Sequence, residues 1–192
     1  MIMPLTKIAE IRMGYSFRSR LEVDAEGDVA VIQMKDIDDS HILYPEKLAH
    51  IYMPDLKDHH LVKKGDLLFR SRGNSNFVSR VASNLGRTVL AAPMMLIRPQ
   101  TNMIKPSYLQ WFINQSSSQN ILLAQAKGTA VKMISKASLE QLLITIPSLT
   151  DQQRIVEISQ LVVQEANLMK KLMERRRGLI EGMLMQKAQG SC

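Results

Sequence analysis

Leu143-Ile144-Thr145-Ile146-Pro147-Ser148-Leu149-Thr150-Asp151-Gln152-Gln153-Arg154-Ile155-Val156 is the stretch on which the fold turns. A short apolar, β-branched run, Leu143 to Ile146, ends at Pro147, which cannot extend a central strand ladder. Thr150-Asp151-Gln152-Gln153 then has the form of a capping box, and Asp151 sets a favourable negative charge at a helix N-terminus. No proline follows before Gln186, so a helix on the order of 55 Å long is predicted, with Gly178 and Gly182 weakening its last turns. Steps of three and four align Ile155, Ser159, Val162, Ala166, Met169, Met173, Arg176, Ile180 and Met183 in one seam. Ile158, Leu161, Leu168, Leu172 and Leu179 make a second seam beside it. Two adjacent apolar stripes need more than one partner surface, so an antiparallel coiled coil, a bundle or a dimer fits them. The competing reading is a terminal helix folded back on its own domain.

Upstream of this stretch the pattern is mixed α/β with short elements. Leu5 to Met13 suits a short helix or a strand, ended by Gly14, and Val29 to Met34 is a β-branched run expected as a strand. Val62 to Arg70 reads as a turn feeding a buried strand, and Thr88 to Arg98 as a strand limited by Pro93. Pro106 opens a helix that should continue toward Lys127, with Gly128 as its C-cap, and a short helix follows Ser135. The expected organisation is a domain over residues 1–149, a long helix over 150–188 and a disordered tail at 189–192.

The chain has 192 residues, 45% of them apolar and 22% charged, enough to bury a core. A single cysteine, Cys192, excludes an internal disulfide framework and a thiolate metal cluster. With no signal-like segment and no long apolar window, a cytoplasmic protein is expected.

The formal charge of +7 is unevenly distributed. Residues 1–66 hold nine basic and twelve acidic side chains, whereas residues 67–139 hold nine basic and no acidic ones. A 73-residue stretch without a carboxylate points to a polyanion, with nucleic acid foremost; a solvated basic face is the bland alternative.

Two polar loops lie in that stretch. Arg70-Ser71-Arg72-Gly73-Asn74-Ser75-Asn76 offers guanidinium groups and amides suited to guanine edges, phosphates and adenine edges, beside a glycine that lets backbone approach closely. Lys127-Gly128-Thr129-Ala130-Val131-Lys132 offers a hydroxyl and two ammonium groups. Each alone could be a solvated turn. Catalytic patterns are missing: there is no phosphate loop, no nucleophile–histidine grouping, and no carboxylate cluster of the kind a metal-dependent nuclease needs. His41, His50, His59 and His60 read as surface residues, because adjacent His59 and His60 do not share an element face.

Five segments in order resemble the specificity subunit of type I restriction-modification systems: Ile8 to Arg18, Val31 to Ile37, Gly65 to Gly73, Gly128 to Lys132, and Leu139 to Pro147 leading into Asp151 to Val156. Their spacing is similar to that of one target recognition domain followed by one helical spacer, where the family usually carries two of each. The resemblance implies a non-catalytic DNA-recognition protein that reads half of an interrupted site. Methyltransferase and restriction subunits would dock on it, and S-adenosylmethionine, ATP and magnesium would belong to those partners. It also adds Arg18 and Lys35, in matching segments, to the DNA-facing candidates Arg70, Arg72, Asn74, Asn76, Lys127, Gly128, Thr129 and Lys132. Two copies could restore the missing symmetry as a homodimer through Ile155, Val162, Met169, Met173 and Ile180; a truncated remnant is the other possibility. The alternative from another class is a helix-mediated scaffold or assembly protein that binds nucleic acid without sequence preference.

Overall fold

The computed structural model describes residues 1–38, 40–73, 76–126, 128 and 132–190. The chain divides into two compact units, Met1–Gln152 and Gln153–Cys192. The described strands are β1 (Ile2–Pro4), β2 (Ala9–Met13), β3 (Val29–Ile32), β4 (Ala49–Ile51), β5 (Leu67–Phe69), β6 (Val78–Arg80), β7 (Thr88–Leu90), β8 (Met95–Pro99) and β9 (Leu143–Thr145). The helices are α1 (Pro106–Asn114), α2 (Ser116–Ala124), α3 (Lys136–Glu140) and α4 (Leu149–Ala188). The architecture is mixed α+β with a long C-terminal helix.

The strands form three small sheets: an antiparallel one in the order β2-β8-β5-β6, one in the order β4-β3-β7 whose β3–β7 pair is parallel, and the antiparallel pair β1-β9. The unbroken Val29-Ala30-Val31-Ile32 run is explained by burial of β3 on both faces. Ala30 and Ile32 join one core with Leu68, Phe77, Leu90 and Leu96, while Val29 and Val31 join another with Ile51, Leu56 and Val89. Pro93 divides the expected Thr88–Arg98 strand: β7 and β8 lie either side of it and belong to different sheets.

The segment from Leu5 to Met13 contains both alternatives, a 3-10 turn at Leu5–Lys7 and then β2. Gly14 follows, because a Cβ there would come within 2.6–2.8 Å of the Ala91 and Ala92 backbone. Gly14 N–H donates to the Met94 carbonyl (2.8 Å) and Ala92 N–H to that of Tyr15 (2.9 Å), which lays residues 14–15 along residues 90–94.

Three expectations along the chain need correction. The helix from Pro106 breaks at Gln115, which is extended (ψ 145°), before α2 begins. The side-chain amides of Gln115 and Gln119 donate to the carbonyls of Trp111 (3.0 Å) and Ile113 (2.7 Å) at the end of α1. The serines at 116–118 favour a new helix start over continuation. Because α2 ends at Ala124, Gly128 is not its C-cap, although its φ of 111° suits glycine. Finally, the cap of α4 is Ser148, not Thr150: its hydroxyl accepts the Asp151 N–H (3.1 Å) and donates to the Asp151 carboxylate (2.6 Å).

Gln152 is fully buried and does more than extend the helix. Its Oε1 accepts the Lys105 N–H (2.8 Å) at the start of α1, and its Nε2 donates to the carbonyls of Met103 (3.1 Å) and Pro147 (3.0 Å). Three half-buried backbone groups are satisfied by one amide, which fixes the first turn of α4 in the first unit.

Candidate nucleic-acid interface

Absence of acid along the sequence is not absence of acid in space. Of the nine cations in residues 67–139, Arg98 is paired with Asp66 (2.6 Å), Arg87 with Asp28 (3.4 Å) and Lys136 with Glu140 (3.5 Å). The carboxylates come from just outside the stretch. Asp66 immediately precedes β5, and because Leu67 pairs with Ile97 it stands across from Arg98 on β8. Arg98, 23% exposed, is structural, whereas Arg87 and Lys136, 45% and 44% exposed, make looser surface pairs. Among the described residues Arg72 and Lys132 have no acidic partner, and both are exposed.

The two polar loops meet. Arg72 bridges Met133 in antiparallel fashion; Gly73 N–H donates to the Lys132 carbonyl (3.3 Å), and Ile134 N–H to that of Ser71 (2.9 Å). Residues 71–73 and 132–134 thus run side by side, with Arg72 opposite Met133 and Gly73 opposite Lys132, which brings together the backbone segments that carry the two cations. Gly73 has φ 120°, where any other residue is strained.

Other candidates are placed differently. Arg70 is half-buried, with its guanidinium 5.6 Å from the Phe77 ring centre, and its Nε is buried without a partner among the described residues. Asn76 departs from the expectation of a surface amide: it is 3% exposed, and its Nδ2 donates to the Arg70 carbonyl (2.9 Å), closing the turn. The base-reading role expected for Asn76 is therefore replaced by a structural one. Gly128 is exposed; Asn74, Lys127 and Thr129 lie outside the described residues. Arg18 and Lys35 are exposed, Lys35 on a 3-10 turn (Met34–Asp36). On α4, Ile155 is half-buried, and Val162, Met169, Met173 and Ile180 are 46–72% exposed.

The histidines are not uniformly surface groups. His50 and His59 are exposed, but His41 is stacked on Phe77 (4.2 Å), and burial holds the His60 pKa below its ordinary value. Among the described residues, no group of three or more His, Cys, Asp or Glu could hold a metal, and no helix is long and apolar enough to cross a membrane.

Sequence reasoning missed Ser71 as a joint. Its hydroxyl donates to the Pro93 carbonyl (2.5 Å), tying residues 71–73 to the Ala91–Pro93 segment. No local pattern marks such a contact, since Pro93 is 22 residues away.

Residues 1–175 match the family described as the type I restriction modification DNA specificity domain. The chain belongs to this family. Membership sets it among the DNA-specificity components of such systems, which are not their catalytic parts. It is 24% identical over 148 residues to the type I restriction enzyme HindI specificity subunit of Haemophilus influenzae, covering 72% of this chain and 31% of that one. The crystal structure of the HsdS subunit from Thermoanaerobacter tengcongensis superposes with a TM-score of 0.73 at 16% identity, covering 98% of this chain and 48% of the other. A structure titled for complex assembly and conformational transition of the type I R-M system gives 0.65 at 18% identity, covering 89% and 40%. These structural likenesses concern the fold. The chain spans between a quarter and a third of the length of the curated relatives and under half of the solved chains.

Proposed function

We propose that the chain is the DNA-reading half of a type I specificity subunit: residues 1–149 recognise one half of an interrupted site, and residues 150–188 form a helical spacer through which two copies pair. What supports this reading is the side-by-side run of residues 71–73 and 132–134, which joins the two polar loops and carries two exposed cations, Arg72 and Lys132, without an acidic partner among the described residues. Such a pair suits a guanine edge and a neighbouring phosphate. Arg18, Lys35, Arg70 and, where their loops reach, Asn74, Lys127, Gly128 and Thr129 complete the surface. Methyltransferase and restriction subunits would dock on the assembly, supplying S-adenosylmethionine, ATP and magnesium chemistry, in the cytoplasm.

Selection from random duplexes tests this. The wild-type chain should enrich an interrupted palindrome, whereas recovery of unrelated sequences would favour a scaffold that binds nucleic acid without preference. Arg72→Ala should weaken binding to the selected site by about 1 to 3 kcal/mol, roughly 5- to 150-fold in Kd, and relax the preference at one base pair per half-site. Equal weakening on all sequences, read by fluorescence anisotropy, would assign Arg72 to a phosphate instead.

A further inference from the structure

A cavity of about 780 Å³ opens beside the turn that carries Arg72, lined by Ser16, Phe17, Ser19, Arg20, Leu21 and Val23, by Gln33 to Lys35 and by Ala91 to Pro93. Its frame is rigid for reasons already given: Gly14 lets residues 14–15 lie against 90–94, and the Ala91 N–H donates to the Ile32 carbonyl (2.9 Å). Pro93 lines the cavity and also accepts the Ser71 hydroxyl, so the cavity wall and the turn carrying Arg72 share one hydrogen bond.

The chemistry of the lining is selective. Arg20 and Lys35 are exposed, and neither has an acidic partner among the described residues. Ser16 and Ser19 add hydroxyl groups; Phe17, Leu21, Met34 and Pro93 add apolar wall. Among the described residues no carboxylate lines the cavity. Of the nearby acids, the Asp36 carboxylate accepts the Gln33 N–H (2.8 Å), which holds the turn bearing Lys35, and that of Asp24 accepts the Glu26 N–H (2.9 Å); Glu22, between Leu21 and Val23, is exposed and makes no ion pair among the described residues. Two uncompensated cations and two hydroxyls around a partly apolar hollow fit a sugar–phosphate strand better than a free anion, since the apolar wall can cover deoxyribose.

We propose that this cavity is a phosphodiester clamp, in which Arg20 and Lys35, assisted by Ser16 and Ser19, grip backbone phosphates of one DNA strand and so set the register at which Arg72 meets the bases. The clamp rests on the DNA-reading function proposed above. It assigns positioning to the cavity and sequence choice to the adjoining turn, a division general to DNA interfaces.

The test compares Arg20→Ala/Lys35→Ala with the wild-type chain on the selected duplex and on a scrambled one, across a salt titration. Both residues are exposed, so the variant should keep the wild-type melting temperature; Arg20→Gln/Lys35→Gln provides a second, milder version. Loss of two phosphate contacts should lower the slope of log K against log salt by about two and weaken binding roughly 60-fold at 0.1 M salt, equally on both duplexes. Millimolar inorganic phosphate at constant ionic strength should leave wild-type binding unchanged. An unchanged slope and affinity in both variants, a changed base preference, or displacement of DNA by phosphate would each overturn the clamp. The underlying reading fails separately, if the wild-type chain itself does not distinguish the two duplexes.

Discussion

Asp66→Ala is expected to destabilise the first unit by about 3 kcal/mol and to lower its melting temperature by roughly 6 to 12 °C. The Asp66 side chain is only 3% exposed, and three donors converge on it: Arg98 Nε (2.8 Å), Arg98 Nη2 (2.6 Å) and the Lys63 N–H (2.7 Å). Alanine would leave the Arg98 guanidinium, 23% exposed, with the Leu61 carbonyl (3.0 Å) as its remaining contact, and would leave the Lys63 N–H unanswered. The damage comes from stranding a charge rather than from losing an attraction, so Asp66→Leu/Arg98→Met should recover much of the loss. Urea denaturation of the wild type, Asp66→Leu, Arg98→Met and the double variant measures the coupling. If the double variant is as unstable as the sum of the singles, the pair is not acting as described.

That ion pair also shows where sequence reading reaches and where it stops. The acid-free stretch begins at Leu67, one residue after the carboxylate that neutralises Arg98. Counting charge along the chain therefore overstates the charge that DNA could meet, because β5 and β8 are antiparallel neighbours and bring Asp66 across to Arg98. Local signals were legible: the β-branched run at β3, Pro106 at the first turn of α1, and the start of a long helix after Pro147. Alternatives that differ by a turn were not, as the cap on Ser148 instead of Thr150 shows, since both hydroxyls precede Asp151 and only packing selects one. The meeting of the two loops that carry Arg72 and Lys132 was legible only as shared composition. Its cause is a backbone bridge between residues 61 positions apart, and no periodicity carries such information. Asn76 looked like a base reader because a surface amide and a turn-closing amide are the same residue in sequence; burial alone distinguishes them.

Met169→Asp is expected to abolish helix-mediated pairing while leaving the first unit folded. Leu149–Ala188 spans 40 residues, about 60 Å, and Ile158, Leu161, Val162, Leu168, Met169, Leu172, Met173, Leu179, Ile180 and Met183 along it are 46–72% exposed. An apolar strip of this length in water is rare on a monomer, so a second copy is the simplest cover. Charge selects the orientation. Residues 151–165 carry three acidic and one basic side chains, residues 170–187 six basic and two acidic. Parallel pairing would set the basic ends against each other, whereas antiparallel pairing sets each against an acidic segment. With full overlap the two-fold axis passes beside Met169, the centre of the helix, so an aspartate there meets its own copy across the axis. Two carboxylates facing each other in an apolar seam cost several kcal/mol, enough to raise the dimer Kd more than a hundredfold. Sedimentation should show a wild-type dimer and a monomeric variant with unchanged melting of the first unit. Orientation is read by cysteine pairing in a Cys192→Ser background. Met169→Cys should crosslink to itself, whereas Val162→Cys should not, because antiparallel copies hold the two 162 positions about 20 Å apart along the axis. Ready crosslinking of Val162→Cys would mean parallel helices and would overturn the antiparallel pairing that the charge pattern selects.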